Sequence, residues 1–286
     1  MRLGGPLFDW NGNCDEWIAA ARRENYTAVY SPFAYSAEKA PPTDSELEPF
    51  IKAAAKAGIV IAEVGAWSNP LDADSKKARA ALDKCRGSLE LAERLGTRSC
   101  VNITGSRSPT RWDGPHVENF SRQTFDMIVE TTRSIVDAIK PTRTFYCLET
   151  MPWIFPSQPD QYLALLRAID RPSVAVHLDP VNMINCPERA YNTAAFLSEC
   201  FAKLGPLIKS CHAKDIILRE KLTVHLDECR PGTGVLDYGV YLRELSRLDN
   251  DIPIMLEHLP KEEYPEAAQH LRESAQQREI CVTTLS

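Results

Sequence analysis

The sequence predicts one α/β domain over residues 1–286, a (β/α)8 TIM barrel, and three observations predict it. The chain has 286 residues, close to the ~250 that a single such barrel takes. Short β-rich runs alternate with longer stretches of helical period from end to end, and no Gly/Ser linker or low-complexity block divides them. The main rival is an open doubly wound sheet, which usually carries a Gly-rich phosphate turn; neither G-x-G-x-x-G, a Walker A pattern nor G-x-S-x-G occurs.

Taken in order, an opening strand lies near Leu3, Asp15 to Glu24 reads as a helix, and Thr27 to Tyr30 as a strand. Ser45 to Ala57 is the next helix and Ile59 to Val64 the next strand. From about Ser75 to Leu95 a helical stripe of Ala81, Leu82, Cys85, Leu89 and Ala92 precedes the strand Cys100 to Ile103. Phe125, Ile128, Ile135 and Ile139 mark the fourth helix by the same period. Strands then follow at Thr144 to Leu148, Val174 to Leu178, Ile208 to Cys211 and Ile252 to Leu256. Helices at Gln161 to Ile169, Ala190 to Leu204 and Tyr238 to Leu248 separate them, and a last helix runs from about Lys261 to Arg278. Eight strands in strict alternation with helices imply a parallel sheet with right-handed crossovers, long enough to close.

Composition narrows the function. Lys and Arg number 33 against 39 Asp and Glu, a formal charge of −6, which offers no general attraction to phosphodiester backbones or anionic lipid. No nucleic-acid or membrane partner is expected. The start lacks the apolar core of a signal peptide, and no uncharged apolar run nears the ~20 residues of a membrane span, so a cytoplasmic location is expected. Nine cysteines, none at C-x-x-C spacing, argue against a disulfide framework or a thiolate zinc site; most are expected to be small buried hydrophobes.

The chemistry gathers at strand ends. Each of the last four strands runs into an ionisable residue: Leu148-Glu149, Leu178-Asp179, Cys211-His212 and Leu256-Glu257. In a parallel barrel these ends share the C-terminal face, where barrel active sites are built. Three carboxylates in a low-dielectric site repel unless one takes up a proton or a cation neutralises them. Two Glu, one Asp and one His form an oxygen-rich set suited to one divalent ion, Mn²⁺ first, with Co²⁺, Mg²⁺ or Fe²⁺ also fitting and Zn²⁺ tolerated. The competing reading is structural: salt bridges to Arg143, Lys214 or Lys209 that merely close the barrel top.

The segments Leu148-Glu149, His177-Leu178-Asp179-Pro180, His212-Ala213-Lys214-Asp215, Pro231-Gly232-Thr233-Gly234 with Leu236-Asp237-Tyr238, and Leu256-Glu257 resemble the xylose isomerase-like family of TIM barrels. That family contains sugar-phosphate isomerases, ketose 3-epimerases, inosose dehydratases and endonuclease IV-type repair enzymes. The resemblance implies that Glu149, Asp179, His212 and Glu257 bind one divalent metal and that Glu149 and Glu257 move protons. It also implies a homo-oligomer. Ketose 3-epimerases carry a substrate-contacting His three residues after the metal Asp and an Arg six after the metal His; here Asn182 and Leu218 stand there. The repair enzymes use more metal-binding histidines, and the first half of this chain has only His116.

Further substrate contacts are expected from Asn182 after strand six, Lys214 beside His212, Glu63 at the end of strand three next to Trp67, and Trp112 with His116 in the long loop after strand four. Each has a bland alternative: turn former, salt bridge or packing. His177 reads as a core-layer residue, and His258 as pointing away from Glu257. The function expected is a metal-dependent isomerase or epimerase that moves a proton beside the carbonyl of a small sugar or keto-sugar through an enediolate. Two alternatives stand beside it: a metal-dependent lyase, dehydratase or decarboxylase on a keto-sugar, keto-glycoside or keto-acid, and a non-catalytic binding barrel.

Overall fold

The computed structural model describes residues 1–285. Eight strands close into a barrel: β1 (Arg2–Gly5), β2 (Ala28–Tyr30), β3 (Val60–Gly65), β4 (Ser99–Ile103), β5 (Phe145–Glu149), β6 (Val174–Leu178), β7 (Ile208–Ala213) and, last in the chain, β10 (Pro253–Leu256). Neighbours pair in parallel, with Leu3 opposite Ile254, Met255 opposite His212, and Glu149 opposite His177. Helices separate the strands: α1 (Cys14–Arg23), α2 (Asp44–Ala57), α3 (Ser75–Leu95), α4 (Arg122–Ile139), α5 (Pro159–Ile169), α6 (Pro187–Tyr191), α7 (Thr193–Leu204), α8 (Tyr238–Ser246) and α9 (Tyr264–Gln276). This is the (β/α)8 TIM barrel the alternation predicts. By contacts the chain divides into two compact sets, one of Met1–Tyr30, Ala53–Val60 and everything from Leu178 onward, the other of Ser31–Lys52 and Ile61–His177.

The element ends follow from local chemistry. Asp74 accepts the N–H groups of Lys76 and Lys77 to start α3, and Gly96, at φ 68°, ends it in the left-handed region. Ser121 caps α4 by accepting from Thr124 N–H. The apolar stripe of α3 is buried as its period requires, with Ala81, Cys85, Leu89 and Ala92 inside. In the second half Phe201 of α7 meets Tyr241 of α8 at 6.0 Å between ring centroids.

Two elements differ from the sequence reading. The single helix expected from Ala190 to Leu204 is two helices, broken at Asn192, whose backbone leaves the helical region (φ −127°, ψ 42°) while its side chain donates to Glu188 O. The stretch after β7, to which the sequence reading assigns no element before Tyr238, contains an antiparallel hairpin, β8 (Asp215–Arg219) and β9 (His225–Cys229), outside the barrel. All nine cysteines are free thiols, and five are buried, as small hydrophobes should be. Among the described residues no helix is long and apolar enough to cross a membrane.

Candidate functional site

Asp179 follows directly on β6 and is fully buried. Its Oδ1 accepts the N–H groups of Val181 (3.1 Å) and Asn182 (3.3 Å), and its Oδ2 accepts from the Asn182 amide (3.2 Å). The short turn after Pro180 thus clamps the carboxylate in one orientation. His212, near the end of β7, is equally buried; its Nδ1 lies 2.8 Å from Glu257 Oε1 and 3.7 Å from Asp179 Oδ2. Tyr241 of α8 donates its hydroxyl to His212 O (2.9 Å) and more weakly to Leu178 O (3.4 Å), holding two strand ends from outside the barrel.

Lys214 completes this group. Its ammonium, 2% exposed, sits 2.5 Å from Glu257 Oε1, 2.8 Å from Asp179 Oδ2 and 3.6 Å from Glu228 Oε2. A buried carboxylate, Asp179, and a partly exposed one, Glu257, are therefore built around a positive charge. Burial by itself would raise the pKa of Asp179, but the Lys214 charge and the His212 and Lys214 contacts outweigh it and hold the carboxyl far below its usual range. Glu257 behaves alike: burial opposes ionisation, and His212 and Lys214 more than compensate.

The local backbone explains why Lys214 points inward. The next residue, Asp215, turns its carboxylate onto four backbone N–H groups: Ile216 (2.8 Å) and Leu236 (2.9 Å) at Oδ1, Gly232 (2.9 Å) and Gly234 (3.0 Å) at Oδ2. A Cβ on Gly234 would stand 2.3 Å from Asp215 Oδ1, and Gly232 adopts φ 91°, so this turn needs both glycines. Tyr238, at the start of α8, donates to Lys214 O (2.8 Å). The Lys214-Asp215 and Pro231-Gly232-Thr233-Gly234 segments are thus one assembly that anchors the base of the hairpin and aims Lys214.

Glu149 ends β5 and is buried, with Tyr162 of α5 donating its hydroxyl to Leu148 O. One ligand atom each from Glu149, Asp179, His212 and Glu257 lie within 4.8 Å of one another. Ligand atoms about 2.0–2.5 Å from a shared ion can stand at most ~4–5 Å apart, so this spread fits one divalent cation. The donor set of three carboxylates and one imidazole, already organised around an ammonium, fits too. Glu63, His177 and His212 form a second group by the same measure.

The remaining expected contacts divide. Lys214 stands among the carboxylates, so the salt-bridged reading describes its contacts. Asn182 is spent on Asp179, making it a clamp on that carboxylate. Glu63 is buried, with His177 Nδ1 4.0 Å from its Oε2, and the pair belongs to an interior layer instead of an exposed wall. Trp112 is exposed; His116 uses Nδ1 to accept Glu118 N–H and so caps a short turn. Their loop is held by Trp153 Nε1 donating to Asp113 O (2.6 Å) and by Asn119 Nδ2 donating to Trp153 O (2.9 Å).

His258 corrects the sequence reading. At φ 57° its backbone is left-handed, so strand alternation stops at Glu257, and the His258 ring turns back with Nε2 3.7 Å from Glu257 Oε2. Its Nδ1 lies 3.2 Å from Glu228 Oε1, and this contact raises the imidazole pKa against the opposing effect of burial. Glu228, on β9, escapes the sequence reading because the hairpin does. The available signal is two β-rich runs, Ile216-Ile217-Leu218 and Val224-His225-Leu226, flanking a short polar turn.

A family model described as xylose isomerase-like TIM barrel matches residues 18–274. No curated protein matches the chain. Among solved structures the chain is similar to endonuclease IV from Thermus thermophilus (TM-score 0.70, 14% identity, 97% of this chain and 100% of that one). It is also similar to a D-psicose 3-epimerase with D-tagatose from Clostridium cellulolyticum (0.68, 13%, 98% and 100%). A third similar structure is a probable 3-DHS dehydratase of petrobactin synthesis from Bacillus anthracis (0.66, 16%, 94% and 97%). At these identities the likeness is one of fold.

Proposed function

This chain belongs to the xylose isomerase-like TIM barrel family, and we propose that it is a divalent-metal-dependent isomerase or epimerase acting beside the carbonyl of a small sugar or keto-sugar. The observation that carries this reading is the convergence of Glu149, Asp179, His212 and Glu257 within 4.8 Å, three of them carboxylates. These four residues would hold the ion. When bound, a divalent ion, Mn²⁺ first on donor chemistry, acts as a Lewis acid that polarises a substrate carbonyl and acidifies the neighbouring C–H.

The protein groups do the rest. Glu257 keeps one oxygen on His212 and Lys214 and turns the other toward His258, so Oε2 is the atom placed to take a proton. Glu149, arriving from a different strand, is the partner that returns a proton to the planar enediolate. Proton return on the opposite face gives an epimer, and on the adjacent carbon an aldose–ketose pair. Lys214, freed from its carboxylates, would supply a positive charge to a developing oxyanion. Asp179 serves as ligand only, because Val181 and Asn182 pin its other oxygen. Asn182 and Leu218 replace the His and Arg of the ketose 3-epimerases, so the substrate's hydroxyls must be read by other side chains.

The test pairs metal analysis with isotope exchange. Metal-loaded protein in D₂O should incorporate about one deuteron per turnover at the carbon next to the carbonyl of a ketose or keto-sugar, with carbon skeleton intact. Release of water, CO₂ or a leaving group would assign the lyase reading instead. Protein that takes up less than ~0.2 equivalents of any divalent ion, with no stabilisation by Mn²⁺, would be a binding barrel.

A further inference from the structure

An open cleft of about 590 Å³ is lined in part by Glu228 and His258, and the proposed proton transfer leaves it unused. Its walls come from the end of β9 (Glu228, Cys229) and the turn after it (Arg230, Thr233), from the segment after β10 (His258, Leu259, Pro260), and from Glu263 just before α9 and Glu266 in its first turn. The cleft is joined to the site through shared walls. Glu228 lies 3.6 Å from the Lys214 ammonium, and His258 lies 3.7 Å from Glu257. His258, left-handed in its backbone, lines the cleft and also contacts Glu257 and Glu228.

The volume falls inside the ~300–1,000 Å³ range of small-molecule sites. The lining says what kind. It has no Phe, Tyr or Trp ring for stacking and only Cys229, Leu259 and Pro260 as apolar side chains, so a flat apolar group has little to bind. Its one guanidinium is already paired, Arg230 lying 3.0 Å from Glu266 and 3.7 Å from Glu263. Even with His258 charged, three carboxylates face two cations, so a phosphate or carboxylate entering here meets net repulsion. Thr233 donates its hydroxyl to Arg230 O, and Arg230 and His258 face carboxylates, so what the cleft offers is a surplus of carboxylate acceptors, the partners that the hydroxyl donors of a neutral polyol satisfy.

We propose that this cleft is a substrate subsite for a neutral polyhydroxylated substituent, such as a second sugar ring, so that the sugar reacting at Glu257 is an unphosphorylated glycoside. The inference rests on the proposed function for the position of the reacting ring, and it extends that reading to a substrate class.

The experiment is calorimetry on the full-length Mn²⁺-loaded protein with cellobiose, sucrose and trehalose, then glucose and fructose, then glucose 6-phosphate. At least one neutral disaccharide should bind about tenfold or more tighter than either monosaccharide. Glu263→Trp, which fills the cleft from a wall outside the metal cluster, should remove that gain while leaving monosaccharide and Mn²⁺ binding within about twofold. Glu263→Gln should retain it. Glu266→Phe blocks the cleft from α9 should the Trp variant fail to fold. Equal affinity for mono- and disaccharides, preference for glucose 6-phosphate, or a gain untouched by the blocking variants would each overturn the proposal. Because affinity is read without turnover, deuterium exchange into monosaccharides with no disaccharide gain sinks this inference alone, and disaccharide binding without any exchange sinks only the isomerase reading.

Discussion

Replacing Lys214 with Met keeps the length and apolar stem of the side chain and deletes the charge between Asp179 and Glu257. At distances of 2.8 and 2.5 Å, and an effective dielectric near 20, each gross attraction is about 6 kcal/mol. Desolvation of three buried ions takes back much of this. Removing one member of such a group leaves uncompensated buried charge, at a net cost of about 3–5 kcal/mol. With an unfolding entropy of roughly 0.6 kcal/mol/K for a chain this long, the metal-free variant should melt about 5–8 °C lower than the metal-free parent. A divalent ion supplies the missing charge, so saturating Mn²⁺ should raise the melting temperature of the variant more than that of the parent and close most of the gap. Differential scanning calorimetry in EDTA and in Mn²⁺ measures both. Equal melting temperatures in EDTA, or a gap unchanged by Mn²⁺, would refute the account of Lys214 as the charge around which the carboxylates are built.

Glu257→Gln should lower solvent exchange into substrate by about 10²–10⁴-fold, read by mass spectrometry in D₂O, while the fold persists. Asp179 and Glu257 ionise below their ordinary values of 3.8 and 4.5, so in the metal-free protein their contribution to stability is complete above those values and is lost as pH falls through the lower folded-state values. Urea titrations should therefore show this contribution flat from pH 7 to 5 and falling below about pH 4. In Lys214→Met the neighbouring carboxylates repel, their pKa values rise, and stability relative to the parent should recover as pH drops from 7 to 5. Tyr241→Phe removes the hydroxyl that holds His212 O and should cost about 1–2 kcal/mol in urea denaturation and ~10-fold in Mn²⁺ affinity. Asp215→Asn cannot accept at both positions; it should cost about 2–4 kcal/mol and speed amide exchange at Gly232 and Gly234.

Much of the fold is legible because its cues are local. The α3 stripe, the Asp74 cap and the Gly96 stop depend on neighbours within a few turns, and a period of 3.6 shows them. So do the strand ends at Glu149, Asp179, His212 and Glu257, each an apolar run broken by an ionisable residue. The break in the α6–α7 stretch is hidden because its apolar period continues across Asn192; the backbone there turns without any Gly or Pro to announce it. The β8–β9 hairpin is hidden because its strands lie outside the barrel and β9 has no buried residue, so the apolar run of β8 stands without a matching partner run. His258 departs from expectation for a single dihedral: alternation holds only while φ stays extended, and at 57° it does not.

The alternation of short and long apolar patterns, with no linker, determined the barrel from the linear chain, since each βα unit buries its own face and eight of them leave one way to close. The same chain determined that four ionisable groups would sit at one end of the strands. Tertiary structure alone decided what those groups face: an ammonium from Lys214 between two carboxylates, an Asn182 turned inward onto Asp179, and a hairpin glutamate brought to His258. Electrostatic contacts act over a few ångströms between residues tens of positions apart, and no local pattern of residues encodes such a distance.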